Sequence, residues 1–164
     1  VNPSKTVYLG LGSNLSNPHR QIKKAVQFLN AHPNISVIDQ APCFKTPAWG
    51  VTDQPDFINS ALTISTTLSP HQLLNTIKEI EYEKLGRVKN KRWHERLIDI
   101  DILVYGLEQL NHESLTIPHP LITERWFVIL PLLLLQPHLP IKLAIKLHAK
   151  ISQQSAPKDI IKLT

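Results

Sequence analysis

Apolar residues recur along the chain with two different periods, and each change of period marks an element. Thr6 to Leu11 is rich in apolar residues and predicts a first strand ending at Gly12-Ser13-Asn14. Asn17-Pro18 then reads as a helix N-cap with proline at the first helical position. Ile22, Ala25, Val26 and Leu29 follow at helical spacing and bury one face of a helix of about three turns. A second strand is expected over Ile35 to Lys45. The stretch T-P-A-W-G-V-T-D-Q-P-D, with two prolines and a glycine, predicts an irregular loop. Phe57 to Thr66 alternates as a strand does. Ser69-Pro70 repeats the cap signal, and Leu73, Leu74, Ile77 and Ile80 give a second helix its stripe, which Gly86 is placed to end.

A strand over 97–105 comes next and turns at Gly106, with a short partner strand expected from Gln109 to Thr116. A helix from about Leu121 to Leu130 runs into Pro131, and 142–152 forms a last amphipathic helix. No repeat, low-complexity tract or linker interrupts the pattern. The order strand, helix, strand, strand, helix, strand predicts an α+β sandwich built as a single domain over 1–164.

Composition changes this picture little. The 164 residues are 42% hydrophobic and 19% charged, as in ordinary globular domains. The longest apolar run, Trp126 to Leu135, is too short to span a bilayer and is broken by Pro131, so no membrane partner is expected. The N-terminal residues carry no signal-peptide pattern, and the single cysteine, Cys43, excludes an internal disulfide; a cytoplasmic location is expected. A pI near 9.4 suits nucleotides and phosphates as well as nucleic acid.

Charge is distributed unevenly, and that matters more. Between positions 84 and 96, Lys84, Arg87, Lys89, Lys91, Arg92 and Arg96 face only the acid Glu95, an excess as large as the +5 of the whole chain. This cationic segment leads into R-L-I-D-I-D-I-L-V, where Asp99 and Asp101 alternate with Ile98, Ile100 and Ile102. On a strand both carboxylates point to one face. Neighbouring carboxylates resist joint ionisation unless a cation lies between them. Mg²⁺ does so with one or two carboxylates plus phosphate oxygens, and arginine grips those oxygens in pairs. The pattern predicts metal-dependent phosphoryl transfer; the competing reading is a charged edge strand kept soluble by its acids. Familiar nucleotide motifs are excluded. Gly10-Leu11-Gly12 opens like a dinucleotide fingerprint, but Leu15 stands at the third glycine, and no P-loop occurs.

With G-S-N at 12–14, T-P-A-W-G at 46–50, D-Q-P-D-F-I-N at 53–59, L-G-R at 85–87, the R-W-H-E-R-L-I-D-I-D-I run and P-H-P…E-R-W-F-V-I-L-P-L at 118–132, the chain resembles the 6-hydroxymethyl-7,8-dihydropterin pyrophosphokinases of the folate pathway. The resemblance covers roughly Thr6 to Pro137. It implies a ferredoxin-like three-layer αβα sandwich with a mainly antiparallel sheet, and transfer of pyrophosphate from ATP to a pterin hydroxymethyl with release of AMP. It further implies that Asp99 and Asp101 hold two Mg²⁺ ions and that Arg87 and Arg96 share the catalytic role. The ATP contacts it implies are Arg87, Lys89, Arg92, Trp93, Arg96, Ile102, His119 and Arg125. The pterin contacts are Thr46, Pro47, Trp49, Phe57, Asn59, Trp93 and Phe127, with Phe57 and Phe127 stacking on the ring. Glu81 would order the basic loop. A monomer acting on small molecules, with no nucleic-acid partner, is expected. His94, Lys78, Ser114 and Pro120 depart from residues common among relatives, which bears on nucleotide affinity.

Two rivals come from other classes. A single-stranded nucleic-acid module on a similar scaffold would use the basic charge and strand aromatics, but an RNP1-like run is absent and paired acids would repel phosphates. A sugar-nucleotide transferase is suggested by Asp-x-Asp alone.

Overall fold

The computed structural model describes residues 2–48, 52–89, 95–135 and 139–163. In chain order its elements are β1 (Lys5–Ser13), α1 (Pro18–Ala31), β2 (Ile35–Gln40), β3 (Phe44–Thr46), β4 (Phe57–Thr66), α2 (Pro70–Lys78), β5 (Asp99–Tyr105), β6 (Leu110–His112), β7 (Leu115–Ile117), α3 (Trp126–Leu133), α4 (Ile141–Gln153) and β8 (Ile161–Lys162). A π-helical turn over Glu79–Lys84 prolongs α2.

β4 is the spine of the sheet. It pairs antiparallel with β1 along one edge, and with β2 and then β3 along the other, while β5 extends the sheet beyond β1. The resulting order β5-β1-β4-β3, with β2 beside the far half of β4 and every pair antiparallel, is the ferredoxin-like arrangement. Alternation along the strands sorts side chains into two cores. Val7, Leu9, Leu11, Leu62, Ile64, Ile100 and Ile102 pack beneath α1 and α2, against Ile22, Leu29, Leu73 and Ile77. Tyr8, Ala61, Leu103 and Val104 pack beneath α3 and α4, against Ile129, Leu132, Leu143 and Leu147. Three layers follow, helices on both faces of one sheet.

Both N-cap expectations hold. The Asn17 side chain accepts from the Arg20 N–H, and Ser69 with Gln72 forms a reciprocal capping box. Several boundaries differ from the sequence reading, each for a local reason. The strand expected over 35–45 is two strands, because Pro42 has no N–H; the Ala41 N–H still reaches the Ala61 carbonyl at 2.9 Å, and pairing resumes at Phe44 opposite Asn59. The 109–116 segment does not partner the acidic strand but folds on itself as the β6–β7 hairpin. α3 begins at Trp126 rather than near Leu121, since residues before it close turns such as Ile122 N–H to the His119 carbonyl at 3.1 Å. Pro131 lies inside α3, which survives only two residues past it. β1 runs on to Ser13, and the acidic strand starts at Asp99, not 97. β8, two exposed residues paired with β3, is too short to leave a periodic signal. Among the described residues no helix is long and apolar enough to cross a membrane.

Two substitutions test this frame. Ser69→Ala should lower stability by about 1 kcal/mol through loss of the cap, and Ile77→Ala, at a fully buried site, by about 2–5 kcal/mol. Urea unfolding midpoints measure both, and a smaller loss for Ile77→Ala than for Ser69→Ala would contradict the packing.

Candidate active site

The cleft exists because one row of the sheet lacks side chains. On the α3 face of β1 the alternation runs Tyr8, Gly10, Gly12; Gly10 lies opposite Asp101 and Ala61, Gly12 opposite Asp99 and Asn59. The two glycines therefore leave a trough between the acids of β5 and the polar residues of β4. A cavity of about 240 Å³ fills it, closed on one flank by Arg125, Phe127 and Val128 at the start of α3. Gly12 is fixed by close approach: a Cβ there would stand 2.8 Å from Asn59 Oδ1.

Charges are tied together at one end of the trough. Asp99 accepts from Arg87 Nη1 at 3.0 Å and from Arg96 Nη1 at 2.9 Å. Arg87 reaches it because Gly86, at φ +73°, turns the chain back after the π-helical turn, so that the Arg87 N–H meets the Glu81 carbonyl at 2.9 Å. The same Nη1 donates to Glu81 Oε2 at 2.6 Å, and that oxygen also accepts the Ile100 N–H at 3.0 Å. Burial pushes Glu81 up to about 7, helped by Asp99 and opposed by Arg87 and the Ile100 N–H. Burial works against the Arg87 charge, yet Asp99 and Glu81 together raise its pKa.

Asp101 also lines the trough. Its carboxyl is held above the usual carboxylate range by its low-dielectric surroundings first and by Asp99 second, with Arg125 and Arg96 pulling the other way. Two hard carboxylates on one face, with Asp99 disfavouring ionisation of Asp101, suit a hard divalent cation. Among the described residues no three His, Cys, Asp or Glu side chains gather as a metal cage. A cation here would need ligand oxygens or water to complete its shell, which is the habit of Mg²⁺ bound with phosphates. His119 stands nearby. Its Nδ1 accepts the Leu121 N–H at 3.1 Å, and burial, then Arg125, lower its pKa, so the neutral ring carries its proton on Nε2.

The β4 and β3 side of the trough is aromatic and polar. Phe57 on β4 and Phe127 on α3 both line the cavity, with Arg125 Cζ 5.6 Å from the Phe127 ring centre. Thr46 and Asn59, both buried, share a hydrogen bond from Asn59 Nδ2 to Thr46 Oγ1 at 2.8 Å, and Pro47 lies beside them. The Asn59 amide retains one further donor and its carbonyl oxygen for a ligand edge.

Of the residues expected here, the fold thus brings together Asp99, Asp101, Arg96, His119 and Arg125 with Thr46, Pro47, Phe57, Asn59 and Phe127; Arg87 and Glu81 stand behind Asp99. Two of the expected residues lie outside the lining. The Ile102 side chain is buried in the core under α1 and α2, on the face opposite Asp101. Lys89 is exposed. Trp49, Arg92, Trp93 and His94 lie outside the described residues. The sequence reading missed Gly10, Leu11, Gly12, Ser60 and Val128 as lining residues. Gly10 was visible as the glycine spaced two residues from Gly12 in a strand, the spacing that empties one face.

Residues 8–137 match the family described as 7,8-dihydro-6-hydroxymethylpterin-pyrophosphokinase (HPPK). The chain is 45% identical over 134 residues to the 2-amino-4-hydroxy-6-hydroxymethyldihydropteridine pyrophosphokinase of Methylorubrum extorquens, covering 82% of this chain and 84% of the relative. The enzyme of the same name from Haemophilus influenzae is 42% identical over 127 residues, covering 77% and 79%. Among solved structures, wild-type Plasmodium falciparum HPPK-DHPS with pterin and p-hydroxybenzoate is similar in fold, with a TM-score of 0.68 at 14% identity over 99% of this chain. This chain spans 47% of the length of that one.

The charge network generates a stability test. Glu81→Ala should destabilise the protein by roughly 3–5 kcal/mol, because a buried guanidinium and the Ile100 N–H both lose a partner. Glu81→Gln keeps an acceptor for Ile100 and should cost clearly less. Chemical denaturation of the two variants measures the order, and equal losses would show that the acceptor kept for Ile100 contributes nothing beyond the lost charge.

Proposed function

Because the chain belongs to the 7,8-dihydro-6-hydroxymethylpterin-pyrophosphokinase family, we infer that its trough receives a pterin at the aromatic end and the ATP phosphates at the charged end. The reaction is transfer of pyrophosphate from ATP to the hydroxymethyl group of 6-hydroxymethyl-7,8-dihydropterin, giving the pterin diphosphate and AMP for folate synthesis. The observation that supports the division of the site is strand position, with Asp99 and Asp101 on β5 to one side of Gly10 and Gly12, and Phe57, Asn59 and Thr46 on β4 and β3 to the other.

Phe57 and Phe127 supply apolar surface for the pterin ring, while Asn59 offers a donor and an acceptor to its amide-like edge. A ring lacking that edge would leave the buried amide unpaired, so recognition rests on the cost of mismatch. At the other end, Arg96, Arg125 and the Nε2–H of neutral His119 point positive groups at the phosphate oxygens. Arg87 reaches Asp99 from behind and sets the orientation of that carboxylate. Asp99 and Asp101 would hold two Mg²⁺ ions, which when bound would offset charge building on the transferred group and lower the pKa of the attacking hydroxyl. Fixed charges aimed where charge develops supply most of the acceleration, since they need no reorganisation during the reaction. The pterin hydroxyl attacks the β-phosphorus in line and AMP leaves. The proposed working unit is a monomer built as one domain.

Incubation with ATP, Mg²⁺ and 6-hydroxymethyl-7,8-dihydropterin should give AMP that depends on the pterin and vanishes with a chelator. ADP as product, or AMP formation untouched by chelator, would overturn the assignment of the charged end. Asp101→Ala should lower turnover by about 10²–10³ or more while leaving the circular dichroism spectrum unchanged. Near-normal turnover in that variant would remove Asp101 from the site.

A further inference from the structure

Residues 139–163 lie beyond the 8–137 stretch matched by the family, yet part of this segment returns to the flank of the trough. α4 is held in the core under α3 by Leu143 and Leu147. The chain after it turns where the Ile160 N–H meets the Pro157 carbonyl at 3.3 Å, and enters β8 along the outer edge of β3.

β3 is only three residues long, and β4 holds it from one side, with Phe44 opposite Asn59 and Thr46 opposite Phe57. β8 takes the other side. Lys162 is opposite Phe44, Ile161 is opposite Lys45, and the Leu163 N–H donates to the Cys43 carbonyl at 2.8 Å. That bond sets the phase of the ladder, because residues that exchange backbone hydrogen bonds alternate with residues that do not. The Ile161 N–H therefore faces β3, and the Lys162 N–H faces away. Leu163 and Cys43, both half-buried, pack against the core under α1 and α2 and anchor the strand, while Ile161 and Lys162 are exposed.

Thr46 ends β3, lines the trough and accepts the Asn59 amide at its hydroxyl. With a bare outer edge, β3 would leave the Lys45 N–H and carbonyl to water and hold Thr46 by its β4 pairing alone. The Lys45–Asp56 ion pair, at 3.6 Å and half exposed, adds little. β5, which carries Asp99 and Asp101, lies at the opposite edge of the sheet from β8.

We propose that β8 is a clamp on the pterin side of the trough, in which Ile161, through its backbone, acts as a positioning residue that fixes β3 and with it the Thr46–Asn59 edge. This rests on the division of the trough proposed above. The clamp acts on pterin binding and leaves the nucleotide side untouched.

Ile161→Pro removes an N–H that faces β3, whereas Lys162→Pro removes one that faces away. In the assay for pterin-dependent AMP at saturating ATP, Ile161→Pro should raise the pterin KM roughly tenfold, with kcat changed by less than about twofold. Lys162→Pro should keep the wild-type KM. The Kd of a non-hydrolysable ATP analogue, titrated without pterin, should be the same in all three proteins. Leu163→Ala loosens the anchor but keeps every N–H; it should raise the pterin KM by a smaller factor, and it decides the matter if Ile161→Pro does not fold. An unchanged pterin KM, equal rises in the two proline variants, a fall in kcat at constant KM, or a weakened analogue Kd would overturn the inference and leave β8 an ordinary edge strand. Failure of the wild type to make pterin-dependent AMP would instead overturn the proposed reaction.

Discussion

A guanidinium removed from water has to be surrounded by anions, and Arg87, 14% exposed, meets that demand by bridging Glu81 and Asp99. Most of the site's form follows from this bridge. It draws the segment after Gly86 back against the π-helical turn and fixes the first residue of β5. Because Asp99 spends one oxygen on Arg87 and the other on Arg96, its carboxylate plane is set by two cations. The Ile100 N–H on Glu81 then locks the strand itself into the network. Such a cluster contributes little net stability relative to apolar packing, but breaking it is costly, and that asymmetry gives it a single geometry.

The trough and the cores are two outcomes of one alternation. Even-numbered positions of β1, odd-numbered positions of β4 and, as far as the bulge at Leu103, of β5 face α3, and where those positions carry Tyr8, Leu103 and Ala61 the face is packed. Two glycines and two acids further along, the same face opens into a cavity. The fold therefore needs no separate device for a binding site. It stops packing one layer where the side chains stop, and the start of α3 closes one flank of the space left.

Burial sets the electrostatic character of the two ends. At the charged end it raises the cost of ionising Glu81 and Asp101, so every cation brought near, from the protein or a ligand, interacts strongly. At the aromatic end it makes an unpaired amide expensive, which is what turns Asn59 and Thr46 into a selective edge rather than a wet surface.

Periodicity in the sequence determined the two faces of each strand, the stripes of α1 and α2, both N-caps and the presence of two carboxylates on one face, because side-chain direction is a local property of φ and ψ. The same alternation already sets the Ile102 side chain on the face opposite Asp101, in the core. Phe57 and Phe127 were legible only through resemblance, since nothing local distinguishes them from core residues. Tertiary structure alone decided that Arg87 folds back onto Asp99, that 35–45 breaks at Pro42, that β6 and β7 pair with each other, and that β8 pairs with β3. Those facts depend on contacts between residues far apart in the chain, whose energies are settled by the packing of the whole sheet and leave no periodic trace in any one segment.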